Sequence, residues 1–160
     1  MSHSVTIRTH TVTTNSTAVI LNTGYLKTWS GVIKLLQLAL GIVCVTIIGH
    51  NYSTYNSYML SAEIFFFLIT TTFLIGTAIL VISYVASHST PGIISKTIYE
   101  LVYHSIAFGL YLAASLTFLV NVSNRGRGND VFMAAAICGL INAALYFLST
   151  IIAVRMYKGL

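Results

Sequence analysis

Four ionisable side chains fall inside long apolar runs: Lys34, Glu63, Glu100 and His104. A charged group within a bilayer is expensive unless it pairs, reaches water or serves a transport path. Glu100 and His104 are four residues apart and so share one helical face. Lys34 lies about one turn into its apolar run, at a depth similar to that of Glu100 and His104 in theirs. The three can form an ion pair with a neighbouring imidazole. The chemistry open to such a group is a proton or ion relay, a lipid-headgroup site, or a clamp between helices, and the clamp is favoured. Glu63 sits at the opposite side of the membrane. Arg125, Arg127 or outer-leaflet water are its expected partners, and a coupling carboxylate for transport is the alternative.

The chemistry that is missing narrows the field. The sequence has no Gly-x-Ser-x-Gly, no His-Glu-x-x-His, no Gly-rich phosphate loop, and no repeated histidine boxes for a di-iron oxygenase. With three acidic residues in the whole chain, paired-carboxylate catalysis has little to draw on. Charged rings or a filter motif of channel type are absent as well. Two cysteines, Cys44 and Cys138, lie within apolar runs and are expected as small core residues. No catalytic residue, cofactor or metal is therefore expected, and the chain is not read as an enzyme. Eight basic residues are scattered near the ends of the apolar runs, unlike the clustered stripe that nucleic-acid binding needs.

The elements that must position these residues are membrane helices. Only 7% of the 160 residues are charged, and the mean hydropathy is +0.85. A soluble domain carries about 25% charged residues. The fold class expected is an all-α integral membrane four-helix bundle. A span needs about 20 apolar residues, and four are predicted, at about 29–49, 58–86, 98–121 and 131–154. Residues 1–24, with ten Ser or Thr and no apolar run, are expected as a disordered cytoplasmic tail, and 25–158 as one domain. Tyr25, Lys27 and Trp29 are expected at headgroup depth. Residues 50–57 and 87–97 read as loops, the latter from its Pro91-Gly92 turn signal. Residues 122–130 read as a third loop, with Asp130 capping the last span.

Basic residues set the orientation. Arg8, Lys27, Lys34, Lys96, Arg155 and Lys158 fall on one side, and Arg125 and Arg127 on the other. The positive-inside rule places the N- and C-termini in the cytoplasm. Two possible glycosylation sequons, at Asn51 and Asn121, then lie in outer loops close to the membrane surface.

Small and polar residues recur at packing spacings. Ala135, Gly139 and Ala143 are four apart, with Asn142 beside them. Gln37 and Gly41 share a face of the first span. Ala107, Tyr111, Ala114 and Ser115 share one of the third. Such positions let helix backbones approach and hydrogen-bond within lipid.

Three stretches carry a family resemblance: Ile-Lys-Leu-Leu-Gln-Leu-Ala-Leu-Gly at 33–41; Tyr103-His104, Ala107 and Leu110-Tyr111-Leu112-Ala113-Ala114-Ser115; and Ala-Ala-x-x-x-Gly-x-x-Asn-x-x-Leu-Tyr ending at Tyr146. Over roughly 25–158 the chain resembles MARVEL-domain proteins, in particular the MAL, plasmolipin and chemokine-like-factor branch. The short first outer loop, without a tryptophan and cysteine pattern, is unlike claudins. The large cysteine-bearing loop of tetraspanins is missing.

The resemblance implies a non-enzymatic organiser or adaptor in vesicle trafficking, membrane apposition or cell junctions. Its partners would be membrane lipids, including cholesterol- or sphingolipid-rich membrane, other membrane proteins, and a second copy of the chain. Its location would be the plasma membrane or vesicles of the secretory and endocytic pathway. The alternative is a small transporter or auxiliary channel subunit using Glu63, Glu100 and His104.

Overall fold

A computed structural model describes residues 24–55, 60–86, 90–94, 97–124 and 130–159. After a 3-10 turn at Tyr25–Lys27 come α1 (Trp29–Tyr55), α2 (Ser61–Ala86), α3 (Thr90–Ile94), α4 (Ile98–Ser123) and α5 (Asp130–Lys158). No strand occurs among the described residues. All the helices but α3 are long and apolar enough to cross a membrane. At about 1.5 Å per residue, the 26 residues of α2 outreach a hydrocarbon core of about 30 Å.

The spans pack as a ring in which α1 touches α2 and α5, and α4 touches α2 and α5. Thus α1 and α4 face each other across one diagonal, and α2 and α5 across the other. A third of each span's most apolar window is buried, and the outward positions are filled by Ile, Leu, Val and Phe. The buried set includes Lys34, Gln37, Thr70, Thr77, Glu100, His104, Ser115 and Asn142. Apolar outside and polar within is the pattern lipid imposes, because interior polar groups find partners only in the bundle.

Helix ends depart from the sequence expectations. Residues 50–55, expected as a loop, continue α1, where Asn51 Nδ2 donates to Ile47 O at 2.9 Å. Hydropathy marks where lipid ends, but a helix stops only where its backbone bonds fail. No proline or charge cluster interrupts this one. Residues 90–94 form a helical turn although Pro91-Gly92 reads as a turn signal. A proline near a helix start gives up only an N–H with no intrahelical partner. Asp130 is the first residue of α5, not the one before it, and still complements the helix dipole. At its other end α5 runs through Lys158 and stops at Gly159, whose φ of 70° is glycine's natural exit. Asn121 belongs to α4 and Asn51 to α1, so the two sequons lie on helices, not in loops. The tail at 1–23, the starting residues of the expected second span at 58–59, Lys96, Arg125 and Arg127 lie outside the described residues.

The half of the core farthest from Lys34 is apolar. Cys44, Ile48, Phe66, Ala114, Phe118, Val122, Ala135 and Ala136 pack together, with the rings of Phe66 and Phe118 stacked at 4.7 Å. Gly139 makes this packing fit. A Cβ there would lie 2.5 Å from Ser115 Oγ and 2.6 Å from Phe66 Cε2. At Gly41 the nearest atom would be Leu74 Cδ1 at 3.2 Å, the free end of a side chain that can move. Gly139→Ala is therefore expected to destabilise the bundle by about 1–3 kcal/mol, and Gly41→Ala by clearly less. Thermal unfolding of both variants in mild detergent checks this; equal midpoints would refute it.

Candidate functional site

The polar interior begins where α1 and α4 start. Lys34 projects from α1 across the bundle's diagonal, and its Nζ donates to Glu100 Oε1 at 2.5 Å and to Ser30 Oγ at 2.8 Å. Tyr84, near the end of α2, donates its hydroxyl to Glu100 Oε2 at 3.1 Å. Both carboxylate oxygens are thus engaged, and Lys34 Nζ also sits 5.3 Å from the Tyr84 ring centroid. His104 Nε2 lies 3.5 Å from Glu100 Oε1, a close approach and not a hydrogen bond. Lys34 and His104 are buried to 1% and 0% exposure. The pair is buried, so removal of either partner would strand a charge.

Tyr25 covers this end. It is buried against the bundle, its ring edge-on to Tyr84 at 4.8 Å. Its hydroxyl reaches Ser30 Oγ at 3.3 Å. The 3-10 turn before α1 folds Tyr25 back onto the bundle, while Trp29 stays outside at 83% exposure.

Deeper in, the second diagonal is crossed by hydroxyls. Thr77 of α2 meets Tyr146 Oη of α5 at 2.7 Å and Tyr103 Oη of α4 at 3.0 Å. Gln37 Nε2 donates to Ser149 Oγ at 2.9 Å, and Asn142 Nδ2 to the Gln37 carbonyl at 3.3 Å, which ties α1 to α5. Tyr111 stacks on Tyr146 at 5.2 Å. The buried atoms Gln37 Oε1, Asn142 Oδ1, Tyr111 Oη, Ser115 Oγ and both His104 nitrogens have no hydrogen-bond partner among the described residues.

Glu63 belongs to none of this. Its Oε2 accepts from the backbone N–H of Leu60 at 3.0 Å, the residue just before α2, and the side chain is 7% exposed. A glutamate three residues into a helix that reaches back to the cap is half of a capping box. Arg125 and Arg127, the expected partners of Glu63, lie outside the described residues, and the sequence reading does not include this local acceptor role. It also missed Ser30, Tyr84, Thr77, Tyr103, Tyr146 and the pairing of Gln37 with Ser149. One signal was available for each of Tyr84 and Ser30: a buried carboxylate accepts several hydrogen bonds, so Lys34 alone would not suffice for Glu100, and an ammonium carries three donors, so Glu100 alone would not suffice for Lys34.

No group of three His, Cys, Asp or Glu side chains among the described residues has the arrangement of a metal site. The arrangement of Lys34, Glu100, Tyr84 and His104 can hold three of the four spans in register and can store a pair of opposite charges. Lys34→Met, which strands Glu100, is expected to cost about 3–5 kcal/mol, and the double variant Lys34→Met/Glu100→Gln to recover most of it. Unfolding midpoints of wild type, both single variants and the double variant in detergent measure the coupling; additive losses would refute the pairing.

No curated protein and no solved structure matches this sequence. The membrane-associating domain known as MARVEL matches over residues 25–152, from the 3-10 turn to the last turns of α5. The match takes in all four spans and every member of the buried polar set. The chain therefore belongs to the MARVEL family and is a multi-pass integral membrane protein.

Proposed function

We propose that the protein is a non-enzymatic membrane organiser or adaptor, of the MAL, plasmolipin and chemokine-like-factor kind, acting in vesicle trafficking, membrane apposition or cell junctions. The observation that carries this reading is that its intramembrane charge is spent internally. Lys34, Glu100 and Tyr84 satisfy one another, and Glu63 caps its own helix. What remains for interaction is the outward apolar surface of four spans, and lipids and other membrane proteins are the partners such a surface takes. A path for ions would need polar groups along the whole axis. Here they give way to the stacked Phe66 and Phe118 and the apolar cluster around them.

In this reading the bundle sits with both termini in the cytoplasm, residues 1–24 form a solvated tail, and 25–158 form the membrane domain. Among the described residues, Lys27, Lys34, Arg155 and Lys158 lie at the end where α1 starts and α5 stops, whereas Glu63 and Asp130 lie at the other. The protein would reside in the plasma membrane or in secretory and endocytic vesicles.

The tagged protein is expected to concentrate in vesicles, junctions or detergent-resistant membrane, and its depletion to alter cargo delivery or membrane contact. A diffuse distribution with no such phenotype would refute the organiser role. Reconstituted in liposomes, wild type and Glu63→Gln are expected to give equal, background proton flux; a flux in wild type lost in Glu63→Gln would establish the transporter instead. A cysteine introduced in the 87–97 stretch is expected to resist an impermeant label added from outside, and its modification would invert the topology.

A further inference from the structure

A cavity of about 560 Å³ opens above the buried ion pair, where the 3-10 turn, α3 and the end of α5 meet. Its size falls within the range of about 300–1,000 Å³ common to small-ligand sites. Trp29, Ile152 and Met156 supply apolar wall, and Tyr84 and Glu100 form the polar floor. Trp29 and Met156 are also exposed on the outer surface of the bundle, so the cavity opens outward at this end. Arg155 lines it from the last turn of α5.

The charges select the occupant. Among the described residues that line it, Glu100 is the sole carboxylate, and its two oxygens are taken by Lys34 and Tyr84, so the floor offers little to a cationic headgroup. Arg155 is different: no ion pair engages it among the described residues. A guanidinium presents a planar fork matched to phosphate oxygens. Lys27 and Lys158 are exposed at the same end and add to the positive field there. One arginine suits one phosphate, and the apolar wall suits acyl chain.

We infer that this cavity holds an anionic phospholipid of the adjoining leaflet, its phosphate on Arg155 and the start of its chains along Trp29, Ile152 and Met156. The inference rests on the organiser reading and gives it a specific lipid contact. The basic collar concentrates anionic lipid at this end of the bundle, and Arg155 retains a molecule once it enters. The lysine–glutamate pair beneath keeps the floor rigid and electrically neutral, so that Arg155 decides the sign of the headgroup.

Full-length protein in phosphatidylcholine vesicles, doped with spin-labelled phosphatidylglycerol or phosphatidylcholine carrying the same acyl label, tests this by the fraction of immobilised probe. Wild type is expected to prefer phosphatidylglycerol by about fivefold, the order of one basic residue near an anionic surface. Arg155→Gln should bring the preference close to one, and Lys158→Gln should keep most of it. Met156→Trp, which fills the cavity and alters no charge, should reduce immobilised phosphatidylglycerol severalfold. No preference in wild type, equal losses in Arg155→Gln and Lys158→Gln, or an unaffected Met156→Trp would each overturn the assignment. Displacement of the probe by excess inorganic phosphate would mean a free-phosphate site and would overturn it too. If wild type still concentrates in vesicles or junctions while showing no lipid preference, the cavity assignment falls and the organiser role stands.

Discussion

The bundle is organised around one diagonal ion pair, Lys34 to Glu100. Helices that are neighbours in the ring can be held by side-chain packing alone. Helices across a diagonal need something long, and a lysine is among the few side chains with the reach. Because α1 and α4 are antiparallel to the spans between them, their starting turns lie at the same end, and the pair closes there. Breaking it would leave a buried charge without its partner. Tyr84 completes the arrangement from α2 by taking the second carboxylate oxygen. Three of the four spans are thereby fixed in depth and rotation by a single cluster.

The rest of the interior follows from that registration. With α1 set, Gln37 meets Ser149 and Asn142, which positions α5. With α5 set, Tyr146 reaches Thr77 on the other diagonal. Only then do Gly139 and Phe66 meet closely enough that a methyl group would not fit between them. Polar bonds specify which residues face one another, and the apolar half of the core then packs tightly. A bundle whose surface and surroundings are equally apolar gains little from hydrophobic contact, so this division of labour suits a membrane.

Much of this was legible in the sequence because lipid makes charge rare. A lysine, a glutamate and a histidine at one depth have few ways to be accommodated, and residues four apart on a helix share a face whatever the fold. The four spans were readable for the same reason. The hydroxyl network of Thr77, Tyr103 and Tyr146 was not, since threonine and tyrosine sit as comfortably at a lipid interface or bonded to their own helix as in a core. Thr70, bonded to its own Phe66 carbonyl, takes that second course. Helix ends were misjudged because hydropathy reports the boundary of the solvent. For Glu63, hydropathy and spacing gave no sign of the backbone N–H of Leu60, a donor just before the helix from which its carboxylate accepts; Arg125 and Arg127, expected beside it, lie outside the described residues.

The two ends of the bundle are consequently unlike in chemistry. One carries the ion pair, the tyrosines folded over it, a cavity and unengaged basic groups; the other ends in stacked phenylalanines, alanines and a capped helix. An ion pathway would require that asymmetry to be reversible, with the apolar half able to admit charge in turn. At Gly139 α5 packs closely on Ser115 of α4 and Phe66 of α2, so admitting charge there would part α5 from both. In the organiser reading proposed above, a bundle with one chemically distinct end has only to hold its orientation and recruit from one leaflet, not alternate between two. Organisation of the membrane around it then needs no moving part, only a surface whose two leaflets are met differently.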